Sequence, residues 1–137
     1  LHHVPVPFMP QAIKEVHRVL VPGGTAIFVE PVGLEGSYFE IVRLVEDERD
    51  LQRLAYEALQ NGLFLGLENK IEEFQYIERS FDDYIHCLQV FVDDEKKRNE
   101  CISEARMITE KLSQAAKIKF EDFRYKSIVR LNALQKL

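Results

Sequence analysis

A chain of 137 residues, 46% hydrophobic and 30% charged, is long enough for one hydrophobic core and has the balance of a globular domain. A formal net charge of -5 argues against nucleic acid as a partner, because neutralising phosphates takes Lys and Arg clustered on one face. The one basic run, Lys96-Lys97-Arg98, follows Asp93-Asp94-Glu95 and reads as a solvated helix face.

From Pro10 to Leu20 the residues Ala12, Ile13, Val16, Val19 and Leu20 recur at the spacing of a helix with one buried stripe, and Lys14, Glu15, His17 and Arg18 fall opposite. Pro10 suits a first helical turn, and Pro22-Gly23-Gly24 ends the helix. Thr25 to Val29 is apolar throughout, which predicts a strand covered on both faces within a parallel sheet. Helix, turn and strand then form the second half of a βαβ unit. Ser37 and Glu40 have capping-box spacing and predict a helix carrying Phe39, Val42 and Leu44 or Val45 inward. After a break at Glu46-Asp47-Glu48, the residues Leu51, Leu54, Ala55, Ala58 and Leu59 predict a second helix, closed by Asn61-Gly62 as a left-handed cap.

Ile71 to Arg79, with Phe74, Tyr76 and Ile77 among charged residues, predicts a partly exposed strand. Ser80 and Asp83 repeat the capping signal ahead of a short helix that directs Tyr84, Ile85, Leu88 and Phe91 inward. Asp93 is expected to cap a long helix over 93–117, with a stripe of Cys101, Ala105, Ile108, Leu112 and Ala115. The tail, 119–136, alternates Tyr125, Ser127, Val129 and Leu131 against Lys126, Ile128, Arg130 and Asn132, and predicts a terminal strand with one apolar face. Cys87 and Cys101 lack metal-site spacing and read as buried thiols, and no metal is expected. No stretch approaches the roughly 20 apolar residues of a membrane span, and the first residues lack a signal-peptide pattern, so a cytoplasmic protein is expected.

The stretches "LHHVP", "AIKEVHRVLVPGG" and "TAIFVEP" resemble the segment following the fourth strand in S-adenosylmethionine-dependent class I methyltransferases of the type 11 and ubiquinone/menaquinone-biosynthesis kind. "FRYKSIVRLNALQK" is similar to that family's last strand. The resemblance implies an α/β fold: the carboxyl-terminal part of a Rossmann-like methyltransferase domain, spanning residues 1–137, with a helical insertion over 34–67. Its mixed sheet would have the order 3-2-1-4-5-7-6 with the seventh strand antiparallel. Thr25 to Glu30 would be the fifth strand, Ile71 to Arg79 the sixth and Phe123 to Leu134 the seventh. The cofactor's Gly-rich turn and ribose-binding acidic residue would precede residue 1. None of Gly23, Gly24, Gly33, Gly36, Gly62 and Gly66 forms a GxGxG motif.

For site residues, the resemblance implies that Leu1, His2 and His3 line the methionine end of the cofactor pocket, against a plainer reading in which they pack the loop. Adjacent histidines on an extended chain point apart, which argues against a metal site from that pair alone. Glu30, at the carboxyl end of its strand, would face or orient a methyl acceptor, or else cap the following turn. Tyr38 and Phe39, with Tyr56 and Phe64, lie in the insertion that covers the acceptor site in such enzymes. Methyl transfer is an in-line displacement at an already activated sulfonium, so it requires alignment more than acid–base chemistry, and no residue is named catalytic.

Two functions follow as expectations. The first is the carboxyl-terminal part of a methyltransferase acting on a small-molecule or lipid-quinone acceptor, inactive without its nucleotide-binding half. The second is a noncatalytic α/β module that dimerises or exchanges strands through the edge at Ile27 to Val29, where a fourth strand would otherwise pair.

Overall fold

In a computed structural model, described for residues 1–33 and 36–137, the chain forms five α-helices and a three-stranded antiparallel sheet. Helix α1 is Met9–Val19, strand β1 Thr25–Pro31, helix α2 Phe39–Val42, and helix α3 Arg49–Asn61. Strand β2 is Leu67–Arg79, helix α4 Phe81–Phe91, helix α5 Glu95–Ala116, and strand β3 Tyr125–Lys136. The first two residues of the expected 34–67 insertion lie outside the described residues. The strand order is β1-β3-β2, so the last strand in sequence is the central one. Among the described residues no helix is long and apolar enough to cross a membrane.

Two compact units divide the chain. The first comprises 1–33, 48–75 and 128–137. Its core joins Met9 and Ile13 of α1 to Ala55, Ala58 and Leu59 of α3, Leu67 of β2 and Leu134 of β3. The predicted stripe of α1 is present in Ile13, but Val19, the helix's last residue, is 63% exposed. The carbonyls of His17 and Leu20, left over at this helix end, both accept from the Lys136 ammonium at 2.9 Å.

The turn at Gly23, where φ is +78°, leads directly into β1, and the Gly23 N–H donates to the Lys136 carbonyl at 2.8 Å. β1 then pairs antiparallel with β3, Ile27 opposite Ala133, Phe28 opposite Asn132, Val29 opposite Leu131 and Glu30 opposite Arg130. The expectation of a strand covered on both faces in a parallel sheet is therefore corrected. Ile27 is 66% and Val29 58% exposed, and β1 forms one edge of the sheet. An unbroken apolar run signals burial on both faces only if layers lie on both sides, and here one face of β1 has none among the described residues.

α3 stops where predicted, for a different reason. Gly62 keeps right-handed dihedrals, with φ at -60°, and the left-handed residue is Gly66, four positions on, with φ at +89°. A Cβ at Gly62 would lie 2.6 Å from Ile13 Cγ2, so close approach of α1, not turn geometry, requires glycine there.

The second unit comprises 34–47 and 76–127. Its core contains Ile41, Phe81, Tyr84, Leu88, Val92, Cys101, Ala105, Phe123 and Tyr125. The Ser80 capping box forms as expected: its hydroxyl accepts from the Asp83 N–H at 3.1 Å, and the Asp83 carboxylate accepts from the Ser80 N–H at 2.7 Å. Asp94 rather than Asp93 caps α5. Phe91 is exposed because α4 ends at that residue.

Two further expectations are corrected here. Ser37 does not cap a helix; its hydroxyl accepts from the Lys126 N–H at 2.9 Å, and the four-residue α2 buries Ile41 rather than Phe39. On α5 the buried residues are Cys101, Ala105, Thr109 and Ser113, spaced four apart along one ridge, while Ala115 is exposed. Polar residues occupy that ridge because each hydroxyl is satisfied. Thr109 bonds the Ala105 carbonyl at 2.6 Å and the Tyr125 hydroxyl, and Ser113 bonds the Glu110 carbonyl at 3.0 Å.

Tyr84 differs from its neighbours. It is fully buried, and its hydroxyl makes no hydrogen bond. Tyr84→Phe removes a desolvated hydroxyl at constant packing and is expected to leave stability unchanged or raise it by up to about 1 kcal/mol. Urea unfolding measures this, and a loss larger than about 1 kcal/mol would show that the hydroxyl has a strong partner.

Candidate functional site

The carboxyl end of β1 gathers the polar residues of the first unit. Alternation along the strand directs Ile27 and Val29 to one face and Phe28 and Glu30 to the other, so the charge at Glu30 enters the covered side. Glu30 is 4% exposed. The Leu1 amino group and Nδ1 of His2 both bond its carboxylate. Burial alone would raise the Glu30 pKa and is its strongest single influence. The hydrogen bonds and charges of Leu1 and His2 together exceed it and hold the carboxyl below the ordinary range.

An ionised carboxylate only accepts, so His2 donates to Glu30 through Nδ1, and Nε2 is on the far side of the ring. That Nε2 lies 3.6 Å from Oε2 of Glu48, in the short link that precedes α3. His3 is beside it. The segment is a turn closed by Val4 N–H to the Leu1 carbonyl at 2.8 Å, and the two imidazole centroids are 4.2 Å apart at 57°. Each of His2, His3 and Glu48 has one donor atom within 4.8 Å of the other two.

On the same face of β3, Arg130 and Asn132 are 8% and 1% exposed. The single apolar face expected of the terminal strand is corrected: Ile128, Arg130, Asn132 and Leu134 are buried on one face, while the other buries Tyr125 and Ala133 and leaves Val129 and Leu131 half-buried. The polar pair is tolerated because it is completed by other elements. Arg130 stacks 3.6 Å over the Tyr56 ring and donates through Nε to Asn132 Oδ1 at 2.9 Å. Asn132 Nδ2 donates to Glu72 at 2.7 Å, and the Tyr56 hydroxyl donates to the same carboxylate at 3.0 Å. Desolvation lowers the Arg130 pKa, against the pull of Tyr56, Glu72 and Glu30.

Of the residues read from the sequence as site candidates, the structure gathers Leu1, His2, His3 and Glu30 in one place. Tyr38 and Phe39 belong to the second unit. Tyr38 stands edge-on to Tyr84, centroids 6.5 Å apart at 90°, and burial foremost pushes its hydroxyl up to about 12. Such a hydroxyl stays protonated and works as packing. Phe39 lines a hollow of about 500 Å³ with Ser37, Ile108 and Leu112. Tyr56 stacks against Arg130, and Phe64 is 89% exposed.

Glu48, Glu72, Arg130 and Asn132 were not anticipated. Glu48 belongs to an acidic run that signals a helix break, and the two β3 residues alternate with the more apolar residues of their strand. The register of Glu30 opposite Arg130 would have revealed them, but pairing between strands so distant in sequence leaves no local pattern. Comparison of the chain with protein-family models, curated proteins and solved structures gives no match.

Proposed function

We propose that this chain is the carboxyl-terminal part of an S-adenosylmethionine-dependent methyltransferase for a small-molecule or lipid-quinone acceptor. The observation that carries the reading is the strand order β1-β3-β2 with β3 antiparallel to β1. Successive strands joined by simple connections lie side by side in sequence order. Insertion of the last strand between the previous two is what the resemblance implies for strands five, seven and six. The helix, Pro-Gly-Gly turn and strand that lead into it support the same reading, as does a cluster of polar side chains at the carboxyl end of β1, where open α/β sheets bind ligands. In this reading Leu1, His2 and His3 border the methionine end of the cofactor and Glu30 orients the loop that carries them. The 137 residues contain no GxGxG turn to hold the rest of the cofactor.

Calorimetric titration of S-adenosylmethionine tests both halves of the proposal. The 137-residue chain is expected to show no tight binding, and a chain extended upstream through a GxGxG turn, roughly 100 residues away, is expected to bind one equivalent. Tight binding by the shorter chain would refute the need for the upstream half, and an upstream sequence without such a turn would refute the methyltransferase reading.

A second reading has its own observation. Ile27 and Val29 are exposed on the edge strand β1, and such edges pair unless something covers them. A noncatalytic module that self-associates through β1 would be dimeric at micromolar concentration, and a strictly monomeric species in light scattering would eliminate it.

A further inference from the structure

We propose that His2, His3 and Glu48 form a binding site for a divalent transition ion of the zinc class. This inference stands independently of the methyltransferase reading, since it rests on three side chains and the group behind them.

The three residues supply two imidazole nitrogens and one carboxylate oxygen, a donor set that suits zinc or iron(II) and not the all-oxygen preferences of calcium or magnesium. Their donor atoms lie within 4.8 Å of one another, and the His2 to Glu48 pair is already at 3.6 Å. Tetrahedral zinc with bonds of 2.0–2.1 Å separates its ligand atoms by about 3.3 Å. Closing the site needs only small side-chain rotations, and His3, the exposed member, has room to make them.

Two features single this cluster out from chance proximity. First, His2 is held as a metal ligand is held. Its Nδ1–H is committed to the buried Glu30 carboxylate, which fixes the ring and turns Nε2 toward Glu48. Second, a polar contact between His2 and Glu48 would account for those two residues alone, yet His3 joins them. The extended-chain argument against paired histidines fails because Leu1 to Val4 is a turn, which brings both rings to one side. Three protein ligands leave a fourth position open to water or to an oxygen of a small molecule, the arrangement of a reactive rather than a purely structural zinc.

The test is titration of the unmodified 137-residue chain with zinc, and with cobalt(II) as a spectroscopic substitute; Glu48→Gln separates the proposed site from chelation by the terminal amine and His3, which would not involve Glu48. The expected result is one equivalent bound, with the visible bands of four- or five-coordinate cobalt. His3→Ala and Glu48→Gln should each weaken binding at least about tenfold. Glu30→Gln, which removes the anion behind His2 without touching the ion, should weaken it about 10- to 100-fold. His86→Ala, at an exposed histidine in the second unit, should leave it unchanged. Circular dichroism establishes that each variant is folded, and His3→Ala, at an exposed side chain, decides the matter if a buried variant is not. Absence of stoichiometric binding, or affinity indifferent to either His3→Ala or Glu48→Gln, would overturn the proposal.

Discussion

Asn132→Leu is expected to lower the unfolding free energy by about 3 kcal/mol, although the two side chains have similar volumes and no cavity is made. The loss is electrostatic. Asn132 links two hydrogen bonds, a buried one accepted from Arg130 Nε at 2.9 Å and a part-buried one donated to Glu72 at 2.7 Å. Leucine leaves the Arg130 Nε–H of a guanidinium that is 8% exposed without its acceptor, and a charged donor stripped of both water and partner is the costly case. Glu72 is less affected, since it keeps the Tyr56 hydroxyl at 3.0 Å. The double variant Arg130→Met, Asn132→Leu should recover part of the loss, because replacing a whole buried polar group by apolar side chains costs less than breaking it. Urea midpoints for the three proteins test this. A single variant within about 0.5 kcal/mol of the parent would mean that water reaches Arg130.

The second large effect is at Gly62. Its right-handed dihedrals suit alanine, and on backbone grounds Gly62→Ala should stabilise by about 0.4–1 kcal/mol through the unfolded state. The structure reverses the sign. The new Cβ would stand 2.6 Å from Cγ2 of Ile13, a side chain 1% exposed and enclosed by Leu59, Leu67 and Leu134. Overpacking of this kind costs about 1–3 kcal/mol, and a net destabilisation of about 2 kcal/mol is expected. Ile13→Leu removes the branch methyl that causes the clash, so it should rescue Gly62→Ala while being mildly destabilising alone. Thermal and urea unfolding of the two single variants and the double form the test. Additive losses would show that the helices separate instead of clashing.

These two positions mark where local reading ended. Helix α1, the Pro-Gly-Gly turn, the break before α3 and the Ser80 capping box were all legible, because each depends on residues within a few positions of one another. The candidate site was half legible. Leu1, His2, His3 and Glu30 follow from the family resemblance and from the carboxyl end of a strand, and the same resemblance adds Tyr38 and Phe39, which belong to the other unit. Glu48 stayed hidden because a carboxylate in an acidic link looks the same whether it faces water or two imidazoles.

Which face of each strand would be buried, and what a glycine was for, depended on elements brought together from far apart. The alternation of β3 is a property of the sequence, but the buried set includes Arg130 and Asn132 because Tyr56 and Glu72 arrive from α3 and β2 to satisfy them. Gly62 follows a helix as a capping glycine would, yet its role comes from Ile13 on α1. Propensity, capping and periodicity act over single turns and are written in adjacent letters. Register, close approach and the completion of buried hydrogen bonds are settled between segments, and only the folded chain contains them.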